Sequence, residues 1–449
     1  MKSCKLPILL CFAASSSSLI ADYPLVSHRY LADPSSLVTK DRVYLYCSDD
    51  DESPVQGSYV IPDVVCVSSS DMKNWTDHGT VFRAEKETTW AKKTWAPSAI
   101  ERDGKYFLYF GNGGGNIGVV VADNPLGPFK DVLGKYLIDG RTPGVQPAKN
   151  MWLFDPGVFI DDDGQAFIYF GGNGDDNVRV AKLKRDMITL DGEVMKMNAP
   201  NFFEASWMFK RKGVYYFAYS SNPKAGMRID YMTGGKPTEG FTYRGTVADQ
   251  PPINNDNNHA AEFEFKGRWF HVYHNRVVAK EAGIPTGFRR NLALEEFGFE
   301  EDGAIRKVVY TTNGVAQAGN LNPYTRVEGE TTNAQHGVET EKCSEGGMNL
   351  CCLDQGDWVR VVGVDFGGKG AKKFSARVAS AEEGGNIELR LGGADGKLVG
   401  TCRVENTGGW QSWKSVSCEV AGAAGVQDLY LKFTGGQKPL FNVDCWKFE

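Results

Sequence analysis

Four residues stand at a near-constant remove from four turns in the chain. Asp33, Asp155 and Glu204 lie nine residues before Arg42, Gly164 and Gly213, and His259 lies eight before Gly267. If the segments that follow fold alike, these side chains are brought to one place. Three carboxyls meeting there suit the cleavage of a sugar acetal. One, held protonated, releases the leaving oxygen, and another, ionised, activates water. The third raises the donor's pKa by like-charge repulsion. Clustered oxygens also suit Ca²⁺, for which His259 would be an uncommon ligand. Any single acid near a strand start is more simply a turn residue or a solvated charge. The shared register in three places favours a functional cluster.

The elements that must position them recur. Each turn opens onto an aromatic and β-branched run: Val43-Tyr44-Leu45-Tyr46, Tyr106-Phe107-Leu108-Tyr109, Phe167-Ile168-Tyr169, Tyr215-Tyr216-Phe217 and Trp269-Phe270-His271-Val272-Tyr273. A polar-Gly turn feeding such a run is a hairpin entering a strand. The turn positions 42, 104, 164, 213 and 267 are 62, 60, 49 and 54 residues apart. An all-β unit of that period is a propeller blade of four short strands, so five blades are expected. The residues ahead of each hairpin then occupy the innermost strand and converge on the axis. In the second blade the equivalent stretch is Thr94-Trp95-Ala96-Pro97, where Trp95 offers a face for a sugar ring or fills the core.

Around Gly319-Asn320-Leu321-Asn322-Pro323 the repeats stop. Short alternating runs follow, such as Ile387-Glu388-Leu389-Arg390-Leu391 and Leu429-Tyr430-Leu431-Lys432-Phe433, broken by glycines as in a β-sandwich. The expected fold class is all-β: a signal over 1–21, a five-bladed β-propeller over 22–318, a linker over 319–325 and a β-sandwich over 326–449.

The chain of 449 residues has a formal net charge of −6 and no long run of one sign, so no nucleic-acid partner is expected. Lys2 and Lys5 precede the apolar stretch Leu6–Ala14, which is too short to insert in a membrane as a mature helix and suits an export signal. A secreted, soluble monomer is expected. Of the ten cysteines, Cys4 and Cys11 would leave with the signal. The eight that remain favour disulfides over zinc, because the adjacent Cys351-Cys352 lacks ligand spacing. Asn74-Trp75-Thr76 matches a glycosylation acceptor, a weak three-residue pattern.

The repeat region resembles glycoside hydrolase family 43. The resemblance rests on His28-Arg29-Tyr30-Leu31-Ala32-Asp33-Pro34, Trp152-Leu153-Phe154-Asp155-Pro156-Gly157 and Phe203-Glu204-Ala205-Ser206-Trp207, with the five hairpins. It implies an inverting enzyme in which Asp33 is the general base, Glu204 the general acid and Asp155 the residue that tunes and orients the acid. It implies too that His259, in Asn258-His259-Ala260-Ala261-Glu262, lies in the axial channel and helps hold Ca²⁺ or its waters. Arg290, in Gly287-Phe288-Arg289-Arg290-Asn291, would contact the sugar. Ala205-Ser206 and Ser98 depart from the family's usual residues, which bears on the subsites rather than the acids.

The C-terminal segment resembles carbohydrate-binding module family 6, through Arg326-Val327-Glu328-Gly329-Glu330, Gly356-Asp357-Trp358, Gly408-Gly409-Trp410-Gln411-Ser412-Trp413 and Phe441-Asn442-Val443-Asp444. By that resemblance Trp410 and Asn442 contact sugar, and Glu328, Glu330 and Asp444 hold a structural Ca²⁺. Cys352 stands where a second stacking aromatic is usual and offers no face for a ring. The implied activity is release of α-L-arabinofuranosyl groups from arabinoxylan, a xylan-based polysaccharide. A β-xylosidase is the near alternative, and a non-catalytic sugar-binding propeller the alternative of another class.

Overall fold

Two-residue turns close the second, fourth and fifth hairpins of the repeat. Asp103-Gly104, Lys212-Gly213 and Lys266-Gly267 take positive φ at both residues, the type I′ geometry whose twist matches that of the strands it joins. The computed structural model describes residues 24–50, 58–146, 150–254, 257–436 and 439–449. The expected signal over 1–21 lies outside them. No helix among the described residues is long and apolar enough to cross a membrane.

Five antiparallel sheets follow in chain order. The first is Leu31–Val38, Val43–Asp49, Asp63–Ser69 and Trp75–Arg83, and the second Trp95–Arg102, Lys105–Gly111, Asn116–Ala122 and Ile138–Asp139. The third is Gly157–Ile160, Ala166–Phe170, Val178–Leu183 and Met195–Met197, and the fourth Phe202–Arg211, Val214–Ser221, Arg228–Gly234 and Thr242–Asp249. The fifth has three strands, Ala260–Phe265, Arg268–Asn275 and Asn291–Phe297. The first strands of successive sheets neighbour one another, and that of the fifth returns to that of the first. The ring is closed, and the fold is a five-bladed β-propeller.

The tyrosine that recurs in the second strand has a structural use. Tyr46, Tyr109 and Tyr169 are buried, and each hydroxyl donates to a carbonyl much further along the chain: Pro125 at 2.6 Å, Met187 at 2.5 Å and Pro237 at 2.7 Å. Each tyrosine thus fills the space between blades and ties one blade to the next. A net hydrogen bond is worth about 0.5–1.5 kcal/mol. The apolar faces close the same seams, as where Phe107, Ile117 and Val119 pack with Val158, Ile168 and Phe170.

By spatial clustering, Arg29–Cys66 and Thr80–Gly314 form one unit. The other comprises Val315–Glu449, the segment ending at His28, and Val67–Gly79 from the outer part of the first sheet. Within that second unit Thr331-Thr332 pairs with Thr76-Trp75. The Asn74 amide exchanges two hydrogen bonds with the Val362 backbone, at 2.9 and 2.8 Å, and Asn74 is buried. The glycosylation match at Asn74 therefore falls on a side chain closed to modification in the folded protein.

The rest of this unit is a β-sandwich. One sheet runs Glu339–Lys342, Met348–Cys351, Asn442–Phe448, Ala371–Ala379, Lys414–Ala423, and the other Ala334–His336, Trp358–Asp365, Val426–Thr434, Gly385–Leu391, Lys397–Val404. Inward-facing residues such as Phe374, Val378, Leu389 and Leu431 form its core. Cys47, Cys343, Cys351, Cys402, Cys418 and Cys445 are free thiols. Cys402 and Cys418 lie on the edge strands of opposite sheets, both against this core, with their thiols in hydrogen-bonding reach.

Candidate active site

The innermost strands share a device that equal spacing only partly captures. Four non-glycine residues on or just before them are left-handed: Asp33 (φ 49°), Ala96 (φ 42°), Asp155 (φ 49°) and Ala205 (φ 61°). Two residues beyond each, pairing resumes in the same place, Ser35 with Tyr46, Ser98 with Tyr109, Gly157 with Tyr169 and Trp207 with Ala218. Asp33 and Asp155 are therefore equivalent, whereas Glu204 stands one residue before the equivalent place, which Ala205 fills. The common spacing of nine is coincidental for Glu204. Its blade has a two-residue turn, and the first and third hairpins have longer ones between Val38 and Val43 and between Ile160 and Ala166.

A left-handed non-glycine residue costs on the order of 1–3 kcal/mol and persists where its surroundings hold it. At Asp33 and Asp155 the side chain it carries lines the pocket. Close approach of the third and fourth blades keeps it there: a Cβ on Gly157 would lie 2.0 Å from the Ser206 carbonyl oxygen. Ser206 and Ala205 follow Glu204 directly, so Asp155-Pro156-Gly157 and Glu204-Ala205-Ser206 fit as one unit. The Ala205 N–H donates to Asp155 Oδ2 at 3.2 Å and fixes the peptide that carries Glu204.

All three acids are buried and line one pocket of about 500 Å³. Trp95 and Arg290 line it too, as the sequence predicts, together with Tyr59, Trp152, Phe154 and Phe203. Arg290 is more constrained than a sugar contact alone requires. Its Nη1 donates to Asp33 Oδ1 at 2.6 Å, and Nε and Nη2 donate to Asp50 at 2.9 and 2.7 Å. Asp50, His274 and Tyr59 are site residues that the sequence did not announce. The Asp33 N–H donates to His274 Nδ1 at 3.3 Å, and the Tyr59 ring lies 4.6 Å from the Arg290 guanidinium. Asp50 lies just past the end of the hairpin strand Val43–Asp49 rather than on an inner strand, so no repeat register marks it.

Electrostatics divide the acids. Burial opposes ionisation of Asp33, but interactions led by the Arg290 charge outweigh it and hold the carboxyl well below the usual range. Asp155 moves the other way: burial, reinforced by the Asp33 charge, raises it well above its ordinary value, against the Ala205 N–H and Arg290. His259 Nδ1 lies 3.7 Å from both Asp33 Oδ1 and Asp155 Oδ2. Burial lowers His259 to about 4 despite Asp33, so the imidazole is neutral near pH 7. Two carboxyls in one pocket pushed in opposite directions by their surroundings are a mark of sites that do acid–base chemistry.

The residues expected to hold calcium are engaged with protein partners. Among the described residues no three His, Cys, Asp or Glu side chains are grouped to hold a metal ion. His259 turns a neutral nitrogen to two carboxylates, and nitrogen is a poor match for Ca²⁺. In the sandwich, Arg326 donates to Glu328 at 2.9 Å and to Asp444 at 3.1 Å, supplying the positive charge that a cation would bring. Glu330 is buried, and burial raises its carboxyl well above the usual value. Trp410 and Asn442 are brought together, since Asn442 Nδ2 donates to the Trp410 carbonyl at 2.9 Å and to Glu341 Oε1 at 2.8 Å. Both amide hydrogens of Asn442 thereby have protein acceptors.

A propeller that delivers three buried acids to one axial pocket defines a glycoside hydrolase. The chain belongs to glycosyl hydrolases family 43, whose model matches residues 22–305, and residues 328–449 match the carbohydrate binding module of family 6. It is similar to an arabinoxylan arabinofuranohydrolase from Paenibacillus polymyxa, with 40% identity over 95% of this chain and 74% of that one. It resembles the crystal structure of a family 43 arabinoxylan arabinofuranohydrolase from Bacillus subtilis in complex with cellotetraose, with a TM-score of 0.89, 38% identity and 96% and 98% of the two chains covered. An α-L-arabinofuranosidase from Clostridium thermocellum is 53% identical over 66% of this chain and 98% of its own, with a TM-score of 0.58.

Proposed function

We propose that this protein is an inverting arabinofuranohydrolase that removes α-L-arabinofuranosyl side groups from arabinoxylan. The observation that carries this reading is the meeting of Asp33, Asp155 and Glu204 in one pocket of a chain so similar, along nearly its whole length, to enzymes of that name. Ionised Asp33 accepts a proton from the attacking water. Glu204 protonates the departing oxygen of the xylan chain. Asp155 holds the Ala205 N–H and with it the peptide that aims Glu204. Trp95 and the aromatic wall of Trp152, Phe154 and Phe203 pack against the sugar. Residues 326–449 keep the enzyme on the polymer.

Residues 1–21 direct export, and in that oxidising setting the Cys402 and Cys418 thiols pair. Proton NMR during the first minutes of hydrolysis tests the reaction. Inversion gives β-arabinofuranose as the first-formed anomer, while linear xylo-oligosaccharides stay intact under the same conditions. First appearance of the α anomer, or cleavage of the linear chains alone, overturns the proposal.

A further inference from the structure

We propose that Asp50 is a positioning residue, whose carboxylate fixes the Arg290 guanidinium so that Asp33 is held with one oxygen bound and the other directed to water. The inference rests on Asp33 being the base of the reaction proposed above.

Asp50 meets Arg290 three times: the Arg290 backbone N–H reaches Oδ2 at 3.0 Å, Nε the same oxygen at 2.9 Å, and Nη2 reaches Oδ1 at 2.7 Å. Both Asp50 oxygens accept N–H donors, which an ionised carboxylate does best. Asp50 is itself anchored, its N–H donating to the Tyr30 carbonyl at 2.9 Å, and it is 2% exposed. Tyr59 covers a face of the same guanidinium, and the Tyr59 hydroxyl accepts from Arg276 Nη2 at 2.9 Å. Asp50 thus fixes Arg290 within its plane and Tyr59 fixes it from above. The remaining end, Nη1, is left for Asp33 Oδ1 at 2.6 Å.

That contact settles which Asp33 oxygen works. Arg290, His259 and His274 all lie against Oδ1. These contacts leave Oδ2 as the oxygen open to water, so proton acceptance falls to it. Without Asp50 the guanidinium turns, Asp33 turns with it, and Oδ2 loses its aim. The aromatic walls that bind the sugar are untouched.

Asp50→Asn tests this against wild type on arabinoxylan and on 4-nitrophenyl α-L-arabinofuranoside, with melting temperature measured alongside. Misplacing a reacting group by an ångström costs about 100-fold, so kcat is expected to fall about 10- to 100-fold on both substrates alike, with KM changed less than about twofold. Equal loss marks the base side, because an aryl leaving group needs little protonation. Arg290→Lys, which leaves Asp50 in place and keeps the charge but lacks the planar fork, is expected to show the same kcat loss and serves if Asp50→Asn does not fold. Wild-type kcat in either variant, or a loss confined to KM, overturns the inference. Failure of wild type to release arabinose from either substrate would instead overturn the underlying reaction.

Discussion

At the scale of single residues the acids part by environment. Glu204→Ala is expected to lower arabinose release from polysaccharide by about 10²–10⁴-fold, the usual worth of a general acid, while largely sparing 4-nitrophenyl arabinofuranoside. Asp33→Ala should abolish both, since neither substrate supplies the activated water. Equal loss on both substrates in Glu204→Ala would remove it from the donor role. The two buried histidines give a pH signature. Burial holds His259 and His274 near 4, below the ordinary value of 6.5. The unfolded chain therefore binds more protons between pH 6.5 and 4, and stability falls as pH drops through that window. Each contributes roughly 3 kcal/mol of that loss, read as a declining melting temperature between pH 6.5 and 4. A flat melting temperature there would mean that the rings are charged in the folded protein.

At the scale of elements, the inner strands carry the site through left-handed residues and one close approach. Gly157→Ala puts a Cβ where the Ser206 carbonyl stands, so the Glu204 peptide must move. The expected result is a loss of 2 kcal/mol or about that in stability and at least about tenfold in kcat, measured by thermal unfolding and arabinose release. An unchanged kcat would show that the third and fourth blades are free to part without disturbing Glu204. In the sandwich, Cys402 and Cys418 close a 15-residue intervening stretch. Oxidised glutathione is expected to join them with loss of two hydrogens, seen by peptide mass mapping. Reductant should then lower the melting temperature, and the Cys402→Ser, Cys418→Ser double variant should be insensitive to it. Separate alkylation of both thiols after oxidation would contradict the pairing.

At the scale of the whole molecule, periodicity made the propeller legible. Hairpins that repeat through aromatic runs leave few other folds, and the tyrosines that end the first three runs tie blade to blade. The three acids were legible for a partly mistaken reason: Asp33 and Asp155 share a register, but a shorter turn gave Glu204 the same count. Asp50 and His274 were illegible because they reach the pocket by pairing with Arg290 and Asp33 across more than 200 residues of sequence. In the sandwich, Arg326 donates to two of the acids expected to bind calcium, a pairing across more than 100 residues for Asp444 that no local motif announces. The measurement that bears most directly on the account is product analysis on wheat arabinoxylan, with wild type and Glu204→Ala in parallel. Free arabinose over an intact xylan backbone, lost in the variant, is the predicted result. Xylose as the sole sugar released, or arabinose release undiminished in Glu204→Ala, would contradict it.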